Sequence, residues 1–155
     1  MRILYVCLGN ICRSPSAENV MRTLVTKAGL ENEIEIDSAG TIGIHAGNRP
    51  DGRMTAAATA RGIPMTGRSR QIRASDLSEF DWIFVMDDQN LADVQELAAT
   101  TRGTARIAKF CDFCTEHDDY TVPDPYYGGP EGFEKVLDLL EDGCAGFLAT
   151  LEEPG

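Results

Sequence analysis

Apolar and polar positions follow two rhythms along this chain. Ile3-Leu4-Tyr5-Val6 is a continuous apolar run, which predicts a strand buried on both faces. Ala17, Val20, Met21, Leu24, Val25 and Ala28 then recur at helical spacing, predicting a helix from about Ser14 to Lys27 that Gly29 stops. Ser14-Pro15 supplies an N-cap and a proline suited to the first helical position. Ile34-Glu35-Ile36 alternates and predicts a short, more exposed strand. Pro50-Asp51 opens a second helix through Met54, Ala57 and Ala58 to a stop at Arg61-Gly62.

Trp82-Ile83-Phe84-Val85-Met86 is the second fully apolar run and predicts a strand beside the first. Asp87 caps a following helix that carries Leu91, Val94, Leu97 and Ala98 on one side. Ala105-Arg106-Ile107-Ala108 reads as an edge strand, and residues 109–129 as irregular. Phe133, Val136, Leu137, Leu140, Cys144, Phe147, Leu148 and Leu151 mark one face of a long last helix, with Gly143 and Gly146 expected to loosen it. Strands alternating with helices imply an α/β fold around a parallel sheet with right-handed crossovers. With 155 residues and no linker or repeat, one domain over 1–155 is expected.

Charge narrows the range of partners. The chain carries 25 acidic against 14 basic residues, a net charge of −11, which argues against nucleic acid or an anionic membrane as a ligand. No apolar run approaches the roughly 20 residues of a membrane span. Met1-Arg2-Ile3-Leu4 leads directly into the first strand without a signal peptide, so a cytoplasmic location is expected. Five cysteines, an odd number, read as free thiols. Cys111-Asp112-Phe113-Cys114 with His117 lacks a second ligand pair, so no metal and no cofactor are expected. A basic rim would help an acidic protein to bind an anion, and Arg49, Arg53, Arg68, Arg70 and Arg73 are candidates.

The stretch Cys7-Leu8-Gly9-Asn10-Ile11-Cys12-Arg13-Ser14-Pro15 combines strand end, loop and helix start. Five residues separate Cys7 from Arg13, so a loop curling back can aim its backbone N–H groups and the guanidinium beside the sulfur. Gly9 brings backbone freedom, and Asn10 tolerates positive φ. Such a nest at a helix N-terminus suits phosphate or another tetrahedral oxyanion, and Arg13 adds a bidentate fork. The same field favours a nucleophilic thiolate at Cys7. Farther along, Pro123 and Pro125 stiffen the backbone around Asp124, as suits an arm holding a carboxyl over a pocket.

Together with Asp37-Ser38-Ala39-Gly40, Ser69-Arg70-Gln71, Met86-Asp87 and Asp124-Pro125-Tyr126-Tyr127, the first loop resembles the low-molecular-weight protein tyrosine phosphatases, in the family's order and over nearly the whole chain. The resemblance implies a three-layer sandwich, with a four-stranded parallel sheet of order 2-1-3-4 and helices on both faces. It also implies hydrolysis of phosphotyrosine in proteins without metal. Cys7 would be the nucleophile, Arg13 and the loop amides the oxyanion site, and Asp124 the acid that protonates the phenolate and then activates water. Leu8, Gly9, Asn10, Ile11, Cys12 and Ser14 would surround the phosphate, with Ile44, Tyr126 and Tyr127 around the ring.

Ser38 is either an ordinary turn hydroxyl or, as the family implies, the partner that holds Asn10 in shape. Asp87 is a cap that in the family also braces the acid loop. Ser69-Arg70-Gln71 is either a solvated connector or a flank of the catalytic loop. Ile44 stands where many relatives have an aromatic, and His45 reads as a solvent-facing loop residue. Cys12 is placed to form a disulfide with Cys7 under oxidation, protecting the nucleophile. Three other readings remain: an arsenate reductase with a cysteine relay, a protein-arginine phosphatase, whose members typically carry threonine at the position of Ile11, and a non-catalytic phosphate-binding module.

Overall fold

The computed structural model of the chain describes residues 1–152. Four strands, β1 (Arg2–Cys7), β2 (Glu35–Gly40), β3 (Trp82–Val85) and β4 (Arg106–Lys109), form one all-parallel sheet in the order β2-β1-β3-β4. The five helices are α1 (Arg13–Lys27), α2 (Gly52–Ala60), α3 (Asp76–Glu79), α4 (Asp88–Ala99) and α5 (Pro130–Glu152), and a 3₁₀ turn covers Phe110–Phe113.

The alternation of side chains along the central strands sorts the core into two halves. Ile3, Tyr5, Cys7 and Phe84 face one side, where α1, α2 and α5 supply Val20, Met21, Met54, Leu137 and Phe147. Leu4, Val6, Ile83 and Val85 face the other, against Leu77 of α3 and Val94 of α4. This is the three-layer architecture that the sequence implied. Cys7 ends β1 on the α1/α5 side, 3% exposed, at the carboxyl edge of the sheet, where ligands of open parallel sheets bind.

Two expectations need correction. Helix α1 begins at Arg13 with Cys12 at the cap position and no side-chain cap bond, so Ser14 is not its N-cap. The Ser14 hydroxyl is engaged by Cys7 and Asn10 instead. Nor do Gly143 and Gly146 loosen α5, which is continuous from Pro130 to Glu152. A Cβ on Gly143 would overlap the ring of Phe110, and one on Gly146 the carbonyl oxygen of Phe113. These glycines let the 3₁₀ turn lie directly on the helix.

Candidate active site

The loop after β1 closes around the sulfur of Cys7. Asn10 has φ 58°, the only non-glycine residue with positive φ among those described, and this turn brings its backbone N–H to 3.3 Å from Cys7 Sγ. Ser14 Oγ lies 3.0 Å from the same sulfur. Gly9 serves the loop differently from expectation. It does not take positive φ; its missing Cβ makes room for His45, whose Cδ2 would sit 2.9 Å from such an atom.

A buried polar chain supports the turn. Asn10 Nδ2 donates to Ser14 Oγ at 2.8 Å and to Ser38 Oγ at 2.9 Å. Ser38 in turn donates to Glu18 Oε1 at 2.6 Å, and Arg22 donates to Glu18 Oε2 at 2.8 Å. Burial raises the Glu18 carboxyl above its usual range, while the bonds from Ser38 and Arg22 act in the opposite direction. Asn10 Oδ1 accepts from the Arg70 backbone N–H at 3.0 Å, and Ser69 Oγ donates to the Gly9 carbonyl at 3.0 Å. Ser69-Arg70-Gln71 is therefore a flank of the loop, pinned to β2 by a Gly40–Gln71 bridge, and not a free connector. Ser38 is the partner of Asn10. Sequence reading passed over Glu18, although its position one turn beyond Ser14 on α1 is a usable signal.

Arg13 is 3% exposed and is held from behind. Its Nη1 donates to Asp87 Oδ2 at 2.6 Å and to the Val122 carbonyl at 3.0 Å, while Nη2 stands 3.7 Å from Asp124 Oδ2. Asp87 also caps α4 by accepting from the Asn90 N–H at 2.8 Å, which bears out the capping reading, while its other bond goes to Arg13 and not to the acid loop itself. The segment carrying Asp124 is tied down by Val122, whose N–H donates to the Met86 carbonyl at 2.8 Å. Asp124 itself remains 44% exposed at the mouth and accepts from the Tyr126 N–H at 3.1 Å.

These elements enclose a cavity of about 210 Å³ lined by Cys7, Leu8, Gly9, Ile11, Cys12 and Arg13 at its base, and by Ile42, Ile44, His45, Asp124, Tyr126 and Tyr127 around its mouth. Asn10 and Ser14 support the base without lining it. Tyr126 and Tyr127 pack edge to face at 4.9 Å between ring centroids, and the Arg53 guanidinium lies 5.2 Å from the Tyr126 centroid. Ile42 was not singled out in the sequence, and His45, expected to face solvent, lines the mouth instead, because a loop of this length places its side chains only on folding.

The remaining thiols are free. Burial, with the carboxylate of Asp51 next in weight, pushes the Cys12 thiol up to about 12. Cys111 lies within the 3₁₀ turn and Cys114 follows it, where the Cys114 thiol donates to the Leu139 carbonyl, and neither lines the Cys7 cavity. His117 is turned to Asp142 at 2.8 Å. Among the described residues no group of three or more His, Cys, Asp or Glu side chains is arranged to hold a metal ion.

A thiol and an arginine thus meet at the carboxyl end of a parallel sheet, with a carboxyl across the mouth. The family model described as low molecular weight phosphotyrosine protein phosphatase matches residues 2–154, and the chain belongs to that family. A Bacillus subtilis relative, the low molecular weight protein-tyrosine-phosphatase YfkJ, is 41% identical over 152 residues, covering 97% of this chain and 96% of its own. A crystal structure of a protein tyrosine phosphatase from Entamoeba histolytica, with Hepes in its active site, superposes with TM-score 0.94 at 42% identity, covering 98% of this chain and 97% of that one. The crystal structure of a Drosophila arginine phosphatase also superposes with TM-score 0.94, at 32% identity and full coverage of both chains. The protein is thus a phosphatase of the low molecular weight class. No helix of the described residues is long and apolar enough to cross a membrane.

Proposed function

We propose that this chain hydrolyses phosphotyrosine in proteins through a cysteinyl-phosphate, with Cys7 as nucleophile and Asp124 as general acid and then base. The observation that carries the reading is the convergence on one cavity of Cys7 Sγ, the Arg13 guanidinium and the Asp124 carboxyl, which come from opposite ends of the chain.

Cys7 attacks phosphorus as the thiolate, and the P–O bond to the ring breaks. The equatorial oxygens accept hydrogen bonds from Arg13 and the loop amides, an arrangement that stabilises charge as it develops. A phenol has a pKa of about 10, so its anion leaves poorly at neutral pH, and a positioned acid contributes roughly 10²–10⁴ in rate. Asp124 donates that proton. As a carboxylate it then takes a proton from the water that attacks the cysteinyl-phosphate, releasing inorganic phosphate. The Ser14 hydroxyl, 3.0 Å from the sulfur, stabilises the departing thiolate.

The aromatic wall of Tyr126 and Tyr127 favours an aryl phosphate. The likeness to an arginine phosphatase favours a second reading, hydrolysis of phosphoarginine, against which stands Ile11 in the cavity lining. An arsenate-reducing relay finds no Cys111 or Cys114 thiol at the cavity, and Cys12 is the one further cysteine lining it. The test is turnover of phosphotyrosine, phosphoarginine and p-nitrophenyl phosphate by the wild type, Cys7→Ser and Asp124→Ala across pH. Phosphotyrosine should be the preferred substrate, Cys7→Ser should be inactive, and Asp124→Ala should be about 10²-fold slower or worse on phosphotyrosine. Activity in Cys7→Ser, or preference for phosphoarginine, overturns the assignment.

A further inference from the structure

Most basic side chains of this acidic protein are already spent on its own carboxylates. Arg2, Arg13, Arg22, Arg53, Arg61, Arg70, Arg73, Lys109 and Lys135 each form an ion pair, so three of the five candidates for a basic rim, Arg53, Arg70 and Arg73, are locally neutralised. Arg49 and Arg68 form none among the described residues, and both are exposed. They flank one open groove of about 500 Å³, whose other walls are Pro50, Gly52, Thr55, Met65, Thr66 and Gly67. No carboxylate lines it. Asp51, between two of the wall residues, is turned away to cap α2 and pair with Arg53. Glu18, behind Gly67, is held by Arg22 and Ser38.

The groove is rigidly joined to the catalytic loop. Asp51 N–H donates to the Ile11 carbonyl at 2.7 Å, and Gly47 N–H to the Ser69 carbonyl at 2.8 Å. Ser69 also binds the Gly9 carbonyl, and Arg68 Nη1 is steadied by the Gly47 carbonyl at 3.1 Å. Asn48 N–H turns back to the His45 carbonyl at 2.9 Å, so Arg49 follows directly on the wall of the catalytic cavity. Three residues separate His45 from Arg49, a span of at most about 14 Å between the two, which an extended peptide covers in about four residues.

We propose that the Arg49/Arg68 groove is a second anion subsite that receives carboxylate side chains lying within about four residues of the phosphotyrosine, so that the enzyme selects acidic segments of its substrates. The inference rests on the phosphotyrosine reading above. A body of net charge −11 repels such segments at long range, so any preference for them has to arise at a local positive site. Binding by exposed arginines moves KM and leaves the chemical step alone.

The experiment compares two phosphotyrosine peptides, identical except for glutamate or glutamine at the four positions on either side, for the wild type, Arg49→Ala/Arg68→Ala and Arg49→Lys/Arg68→Lys, with p-nitrophenyl phosphate as the unflanked substrate. The glutamate peptide should show a KM about threefold to tenfold lower in the wild type, with equal kcat. That advantage should vanish or invert in the alanine variant and in high salt, return in part in the lysine variant, and leave p-nitrophenyl phosphate turnover unchanged throughout. Equal KM values in the wild type, or a glutamate preference that survives the alanine variant, overturn the subsite while leaving the phosphatase reading intact. Failure of the wild type to turn over either peptide removes the phosphotyrosine reading, and this inference with it.

Discussion

Arg13 and Asp87 form a 2.6 Å ion pair in which the arginine is almost fully buried and the aspartate is the N-cap of α4. One carboxylate therefore fixes the direction of the guanidinium and the start of a helix on the opposite layer of the sheet. Asp87→Ala should lose the cap and leave a buried charge without its partner, lowering stability by about 2–4 kcal/mol. Asp87→Asn keeps a good cap and should lose less stability, yet activity should fall about tenfold in both because the fork loses its anchor. Thermal melts beside kcat separate the two effects; equal stability of both variants would show that the cap contributes nothing.

The cavity holds two thiols with different expected reactivity. Because burial and Asp51 push Cys12 up to about 12, it is protonated at neutral pH and should resist alkylation. Iodoacetamide at pH 7 should label Cys7 first, be blocked by inorganic phosphate, and reach Cys12 only on unfolding. Peptide mapping that finds Cys12 labelled as fast as Cys7 would contradict this ordering.

Gly146→Ala tests helix propensity against tertiary packing. In an isolated helix the change stabilises by about 1 kcal/mol. Here the new methyl would meet the carbonyl of Phe113, so the variant should instead lose about 1–3 kcal/mol of stability by chemical denaturation. A more stable variant would mean that the 3₁₀ turn yields at no cost.

Asp142 closes the loop after the 3₁₀ turn. Burial alone raises its carboxyl, but the N–H of Thr115, the ring of His117, the N–H of Glu116 and the Thr115 hydroxyl outweigh it and lower it to about 2. Since the folded value lies below the ordinary carboxylate value of about 3.9, its contribution is fully present above pH 4 and is lost as the pH falls toward 2. Asp142→Asn should be less stable than the wild type by about 1–3 kcal/mol at pH 7, with the gap narrowing below pH 4. A gap that stays constant down to pH 2 would exclude the carboxylate as its source.

Much of the architecture was legible because it rests on local periodicity. The two apolar runs, Ile3–Val6 and Trp82–Met86, supply the central strands β1 and β3, since a short strand covered on both faces buries consecutive apolar residues. Asp51 and Asp87 cap the helices that they preceded in the reading. Ser14 was misread for a physical reason: a serine before a proline satisfies the local rule for a cap, while its hydroxyl is captured by Cys7 and Asn10 through contacts that exist only in the closed loop. Gly143 and Gly146 were misread similarly, because helix propensity weighs backbone entropy and contains nothing of Phe110 or Phe113.

The sequence by itself determined the α/β layering, the family, and the identity of the loop from Cys7 to Ser14, since hydrophobic period and residue spacing are properties of the chain alone. Only the tertiary structure decided which groups hold that loop and which arginines remain available. Glu18, Ser38, Ser69, Arg70 and Asp87 reach the catalytic loop from separate elements. Whether Arg53 or Arg49 is left unpaired depends on which carboxylate folding brings within about 4 Å, and hydrogen bonds and ion pairs act over that distance in space, not along the chain.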